Sequence, residues 1–187
     1  MFKRKIETEL IEWKKSLMIK KKAFILKWLR QTGKTFIVKK FANENYNNVV
    51  YINFKVDLNM KKTFESDLNV SQIVSNLSIL NSRFKFIPNE TVIIFDEIQE
   101  CSGARASIKP FMEDGRYDII ATGSLLGIKG YNKNYHGGVS VGFEHIVYMT
   151  AMDFEEFLWA KGINEETLNY LYDCFKTKNR INDAVHI

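Results

Sequence analysis

The chain has 187 residues, 45% of them apolar, with 14 Phe and a formal net charge of +5. That is enough for one packed domain and its core, and it excludes a disordered chain. No apolar run approaches the ~18–20 residues a membrane span needs, so no membrane partner is expected, and no apolar core follows the basic N-terminus as in a secretory signal.

In chain order, Phe2, Ile6, Leu10, Trp13 and Leu17 recur at helical spacing with Lys and Glu between them, which predicts an amphipathic helix laid on a core. The positive charge is concentrated there. Residues 1–27 hold nine Lys/Arg against three Glu, and the other 160 hold eighteen against nineteen acids. Such a segment offers a surface to nucleic acid, an acidic partner or the nucleotide itself; the plainer reading is a solvated helix face. After Lys20-Lys21-Lys22 a first strand is expected over 23–27, then a loop through Gly33, then a helix from Lys34 to Ala42.

Residues 49–54 (Val-Val-Tyr-Ile-Asn-Phe) are short, β-branched and aromatic, as in an interior parallel strand. Val70, Ile73, Val74, Leu77 and Leu80 mark another helix, and Pro88-Asn89-Glu90 a turn. Thr91-Val92-Ile93-Ile94-Phe95 is a third strand ending on Asp96-Glu97, followed by a helical stretch interrupted or restarted at Pro110. Residues 117–121 form a fourth strand ending on Thr122-Gly123-Ser124, and 127–142 a glycine-rich loop. A fifth strand covers 145–148; helices follow over 153–159 and about 164–176. Strands alternating with helices predict an α/β layer sandwich with a largely parallel sheet, in which ligands bind at strand carboxyl ends. Three polar clusters fall at such ends: 28–35, 96–97 and 122–124.

Strand, Gly33-Lys34-Thr35 and helix are the setting of a phosphate-binding loop. Its backbone N–H groups surround phosphate oxygens, helped by the helix N-terminus. Lys34 reaches the outer phosphates and the Thr35 hydroxyl holds Mg²⁺. Asp96, after four apolar residues, is the expected second Mg²⁺ ligand, and Glu97 the base that activates water against the γ-phosphate. A hydroxyl at Thr122 or Ser124 would contact the γ-phosphate or the water; each also reads as a turn hydroxyl bound to its own backbone. The tripeptide at 33–35 is common by chance; its order with Asp96-Glu97 is what makes the reading. Cys101 and Cys174 show no metal-ligand spacing and read as thiols of a reducing cytoplasm.

Residues 30–35 (Arg-Gln-Thr-Gly-Lys-Thr), 49–54, 94–101 (Ile-Phe-Asp-Glu-Ile-Gln-Glu-Cys), 122–127 (Thr-Gly-Ser-Leu-Leu-Gly) and 153–158 (Asp-Phe-Glu-Glu-Phe-Leu) together resemble the AAA-type ATPases of bacteria and archaea that carry a C-terminal DUF4143 domain. The resemblance implies a three-layer P-loop NTPase sandwich with a five-stranded sheet in the order 5-1-4-3-2. It also implies ATP and Mg²⁺ as ligands, Glu97 as catalytic carboxylate, and the hydroxyl at 122 or 124 as sensor. Nucleotide contacts carry over to Arg30, Gln31, Thr32, Gly33, Lys34, Thr35, Phe36, Thr122 and Ser124, and metal contacts to Thr35 and Asp96. The expected division is an N-terminal helix and linker at 1–22, a core at 23–160, and a helical extension at 161–187 that looks cut before the family's lid. Trp28 stands where the family has the first loop glycine; if that position needs a positive φ, a bulky residue costs on the order of 1–3 kcal/mol. ATP hydrolysis, a binding domain without turnover, and a nucleic-acid-associated module therefore stand as the functional readings. No arginine is nominated as a finger, since nothing in the sequence supports Arg105 or Arg116 in that role, and oligomeric state stays open.

Overall fold

The structure, a computed structural model, describes residues 3–28, 33–65, 68–124 and 142–182, and only the backbone of Trp28 and Ser124. The elements are α1 (Ile6–Ser16), β1 (Ala23–Trp28), α2 (Lys34–Asn45), β2 (Asn48–Asn53), α3 (Leu58–Lys61), α4 (Val70–Leu80), β3 (Thr91–Asp96), α5 (Ser102–Asp114), β4 (Asp118–Ser124), β5 (Glu144–Tyr148), α6 (Phe154–Ala160) and α7 (Glu165–Thr177). Short 3₁₀ turns cover 62–64 and 98–100. The sheet order is β2-β3-β4-β1-β5, every neighbour parallel, which is the expected 5-1-4-3-2 read from the other edge.

The period-2 alternation of the strands divides the core. Ala23, Ile25, Val50, Ile52, Ile93, Phe95, Ile119 and Ala121 face one way, against α4 and α5. Phe24, Leu26, Val92, Ile94 and Ile120 face the other, against α1 and α2. The β3 strand is buried at all six positions, as a strand covered on both faces must be.

Two strands run further than expected. β1 takes in Trp28 and β4 takes in Thr122-Gly123-Ser124, because Leu26, Lys27 and Trp28 pair with those three residues. Trp28 is thus extended strand, and the positive φ that would have strained it does not arise; among the described residues the positive-φ non-glycine ones are Asn89, Glu97 and Lys178. Pro110 does not break α5, which runs continuously through it. Burial of Ala104, Ile108, Phe111 and Met112 offsets the lost backbone hydrogen bond. The short α3 and its 3₁₀ turn lack a long enough periodic stretch to be foreseen. The predicted loop at 127–142 falls, except for Gly142, outside the described residues, as does Phe2.

α1 is part of the core. Ile6, Leu10, Trp13 and Leu17 are buried with Ile37, Val38 and Phe41 of α2. The Trp13 indole N–H donates to the Lys22 carbonyl at 2.7 Å and the ring lies 5.4 Å from that of Phe24. The residues before α1 grip α6. Asp153 and Glu156 form its reciprocal N-terminal cap, and Arg4 Nε lies 3.1 Å from the buried Glu156 carboxylate, which also accepts from the Lys5 backbone N–H. Lys5 Nζ pairs with Asp153 and Glu155, and these hydrogen bonds push its pKa up.

Trp13→Ala should lower the free energy of urea unfolding by about 3–5 kcal/mol, the cost of emptying a buried aromatic site. If α1 were a dispensable appendage, the midpoint would not move.

Candidate functional site

Parity along parallel strands builds the site. Asp96 follows Val92 and Ile94 on the α2 side of β3, and Asn53 pairs with it in register. Tyr51 and Asn53 therefore share its side of β2, and Thr122, two residues after Ile120, shares it on β4. α2 starts above these strand ends, so Thr35 on its first turn reaches the same point.

The result is a carboxylate only 2% exposed that accepts from four side chains. Thr35 Oγ1 lies 3.1 Å from both Asp96 oxygens. Tyr51 Oη donates to Oδ2 at 2.6 Å, and Asn53 Nδ2 to the same oxygen at 3.2 Å. Thr122 Oγ1 donates to Oδ1. Burial first, then the bond to Asp96, pushes the Tyr51 phenol pKa up, so it remains a donor. Lys39 Nζ sits 3.3 Å from the centre of the Tyr51 ring and holds it from the other side.

Gly33 caps α2 with φ 84°, a left-handed conformation for which glycine is suited. It offers no side-chain cap and no acid lies in the first turn, so the helix N-terminus keeps its positive end for an anion. Lys34 is buried there. Desolvation lowers its pKa, against the opposing pull of Glu97 and Asp96. Phe36, on the same turn, is 57% exposed.

Glu97 steps off the strand with φ 53° and its carboxylate accepts from Gln99 Nε2. Leu29, Arg30, Gln31 and Thr32 lie outside the described residues, as does the Ser124 side chain; the Ser124 backbone pairs with Trp28. The structure thus brings together Gly33, Lys34, Thr35, Asp96 and Thr122. The two arginines are engaged elsewhere: Arg105 with Glu144 at 2.7 Å, and Arg116 with Asp114 at 2.7 Å.

The donor set fits Mg²⁺. A carboxylate and a hydroxyl are hard oxygen ligands, and Mg²⁺ takes one or two protein carboxylates and completes its shell with water and phosphate. Among the described residues no group of three or more His, Cys, Asp or Glu converges, so no all-protein metal cage competes with that arrangement.

The family model described as the AAA domain matches residues 20–158. The chain belongs to the AAA domain family. It is a nucleotide-binding domain of P-loop NTPase fold. No curated protein matches the sequence. Solved structures with similar folds include a Walker-type ATPase of Pyrococcus abyssi (16% identity, TM-score 0.52, covering 97% of this chain and 60% of that one). The Orc1 protein of Aeropyrum pernix in complex with DNA matches at 15% identity and TM-score 0.50, covering 87% and 50%. The RuvB Holliday junction branch migration motor of Thermotoga maritima matches at 14% and 0.50, covering 83% and 48%. This AAA chain therefore spans about half to three fifths of those proteins. No described helix is long and apolar enough to cross a membrane.

Tyr51, Asn53 and Gln99 escaped the sequence reading. For the first two a signal existed: polar groups at alternate positions at the end of a buried parallel strand share the face of Asp96. Tyr51→Phe keeps the ring over Lys39 and removes one donor. It should cost about 1–3 kcal/mol in metal-free urea unfolding, the range for a hydrogen bond to a charged group.

Proposed function

We propose that this chain binds ATP with Mg²⁺ at the N-terminus of α2 and hydrolyses its terminal phosphoanhydride. The observation that carries the proposal is the contact of Thr35 with Asp96, 61 residues apart in sequence. It joins the two halves of the phosphate and metal machinery at one point.

In this reading Arg30, Gln31, Thr32, Gly33 and Lys34, with the Phe36 backbone, hold the phosphates. Thr35 and Asp96 hold Mg²⁺, which when bound neutralises phosphate charge and polarises the γ-phosphate. Glu97 accepts a proton from a water whose oxygen attacks the γ-phosphorus; the bond to the bridging oxygen breaks and ADP leaves with the electron pair. Thr122 acts through Asp96, which leaves the direct sensor contact to Ser124. The extended backbone at Trp28 supports turnover over a degenerate site, since the strain expected there is absent. Coupling of hydrolysis to an attached DUF4143 domain is part of the same proposal. The free, buried thiols of Cys101 and Cys174 support a reducing, cytoplasmic setting.

A nucleic-acid partner is the weaker reading. Orc1 with DNA and the RuvB motor share the fold, but here Lys3 pairs with Glu165, Arg4 and Lys5 with α6, and Lys21 with Asp118. Lys15, Lys20 and Lys22 are what that reading would rest on.

Steady-state phosphate release with MgATP should fall at least ~100-fold in Glu97→Gln, the scale of general-base catalysis, with nucleotide affinity kept. Lys34→Ala should lose nucleotide affinity by ~10-fold or more, the scale of a charge-assisted contact. Release undiminished in Glu97→Gln would remove Glu97 as the base. Binding without release in the wild type would leave a domain without turnover, and a folded wild type that binds no ATP would end the proposal.

A further inference from the structure

Gln99 is a polar side chain beside Glu97 that the mechanism above does not use. It sits on the 3₁₀ turn 98–100, which is closed by Glu100 N–H to the Glu97 carbonyl at 2.9 Å and Cys101 N–H to the Ile98 carbonyl at 3.1 Å. Its Nε2 donates to Glu97 Oε2. Its Oε1 is fully buried and has no hydrogen-bond partner. Turning the amide over would face that oxygen to the carboxylate and lose the one bond the group makes, so the orientation is set by Glu97.

The other side of the amide rests on β4. A Cβ built on the buried Gly123 would lie 2.8 Å from Gln99 Oε1 and 3.5 Å from Ile98 Cγ2. Gly123 pairs with Lys27 inside β4, so its lack of a side chain is a matter of room for Gln99. An orphaned buried amide oxygen is costly and calls for a reason. Here the reason is the bond at the other end of the amide, to a carboxylate that would otherwise swing on its own torsions from a left-handed residue at the end of a strand.

We propose that Gln99 is the positioning residue for Glu97: its amide, seated against Gly123, clamps the carboxylate so that the end of β4 sets where the base stands. The proposal rests on Glu97 acting as the base. It explains why the strand beside β3 carries a glycine between two hydroxyl residues. A methyl group at 123 meets only the far end of a flexible side chain, so the fold loses little. What shifts is the end that holds Glu97.

The test uses the full chain with MgATP and four variants: Gln99→Ala, the near-isosteric Gln99→Glu, Gly123→Ala, and Gly123→Ala combined with Gln99→Ala. Gln99→Ala and Gln99→Glu should each lower kcat by ~10-fold or more, with KM for ATP within ~2-fold, since a displaced base alters the reaction and not the binding. Gly123→Ala should lower kcat likewise, and should cost nothing further once Gln99 is alanine. An unchanged kcat in both Gln99 variants, or a Gly123→Ala effect that persists in full beside Gln99→Ala, would overturn the proposal. A second readout needs no turnover: the side-chain amide NMR signals of Gln99, assigned by their loss in Gln99→Ala. They should shift in both Glu97→Ala and Gly123→Ala. If they shift while the wild type releases no phosphate, the clamp stands and the hydrolysis reading fails; if they ignore both substitutions, the clamp fails whatever the activity.

Discussion

A buried carboxylate is tolerated only when its oxygens are satisfied, and Asp96 is the group on which this molecule's active end depends. Its four donors come from α2, β2 and β4, so one side chain ties three elements together. Thr35 is the decisive partner. It stands on the first turn of α2, and its contact with Asp96 fixes the helix N-terminus, with Gly33 and Lys34, over the strand ends. The same four donors keep the carboxylate oriented when the site holds no ion. The carboxylate and the Thr35 hydroxyl are hard oxygen donors of the kind Mg²⁺ takes.

The layering was legible because β-branched and aromatic runs are a strong signal, and because parallel strands need helices between them. The order of the strands was not readable from periodicity and came from the resemblance carried by residues 30–35, 94–101 and 122–127. Strand ends were read short at Trp28 and at Thr122-Gly123-Ser124, where pairing across the sheet overrides composition. That Asp96 and Thr35 belong to one site was legible from Gly33-Lys34-Thr35 before a helix and an acid at the end of a buried strand. Alternation puts Tyr51 and Asn53 on one side of β2, but which side meets Asp96 depends on the register of β2 against β3, which local sequence does not fix. Gln99 was hidden for another reason: its bond to Glu97 exists only because the residue between strand and turn adopts a positive φ.

Part of the charge of the N-terminal segment is used inside the domain. Lys3, Arg4 and Lys5 form ion pairs with Glu165, Glu156, Asp153 and Glu155. Lys40 of α2 in turn holds Glu7 of α1 at 2.7 Å. Exposed pairs of this kind contribute little each, but the Arg4 and Glu156 side chains are only 11% and 5% exposed. That pair joins the start of the described chain to the first turn of α6, beyond β5. Lys3, Arg4 and Lys5 thus bind the start of the described chain to α6 and α7, and α1 completes the core on the face that also carries Asp96.

Adjacent acids at the end of one strand would repel if they shared a direction. Alternation sends Asp96 toward α2, and the left-handed turn at Glu97 sends the next carboxylate to a different set of partners. One is surrounded by hydroxyls, a phenol and an amide suited to a hard cation. The other is held by a single amide beside β4. A one-residue slip of β3 would place Glu97 among the donors that now surround Asp96 and push Asp96 into the apolar place of Phe95 on the other face. The all-apolar run from Val92 to Phe95 does not prevent that slip, because it is buried on both faces. What prevents it is the pairing of Asn53 with Asp96 and the reach of Thr35, Tyr51 and Thr122, so the polar residues at the strand ends set the register that the core leaves open.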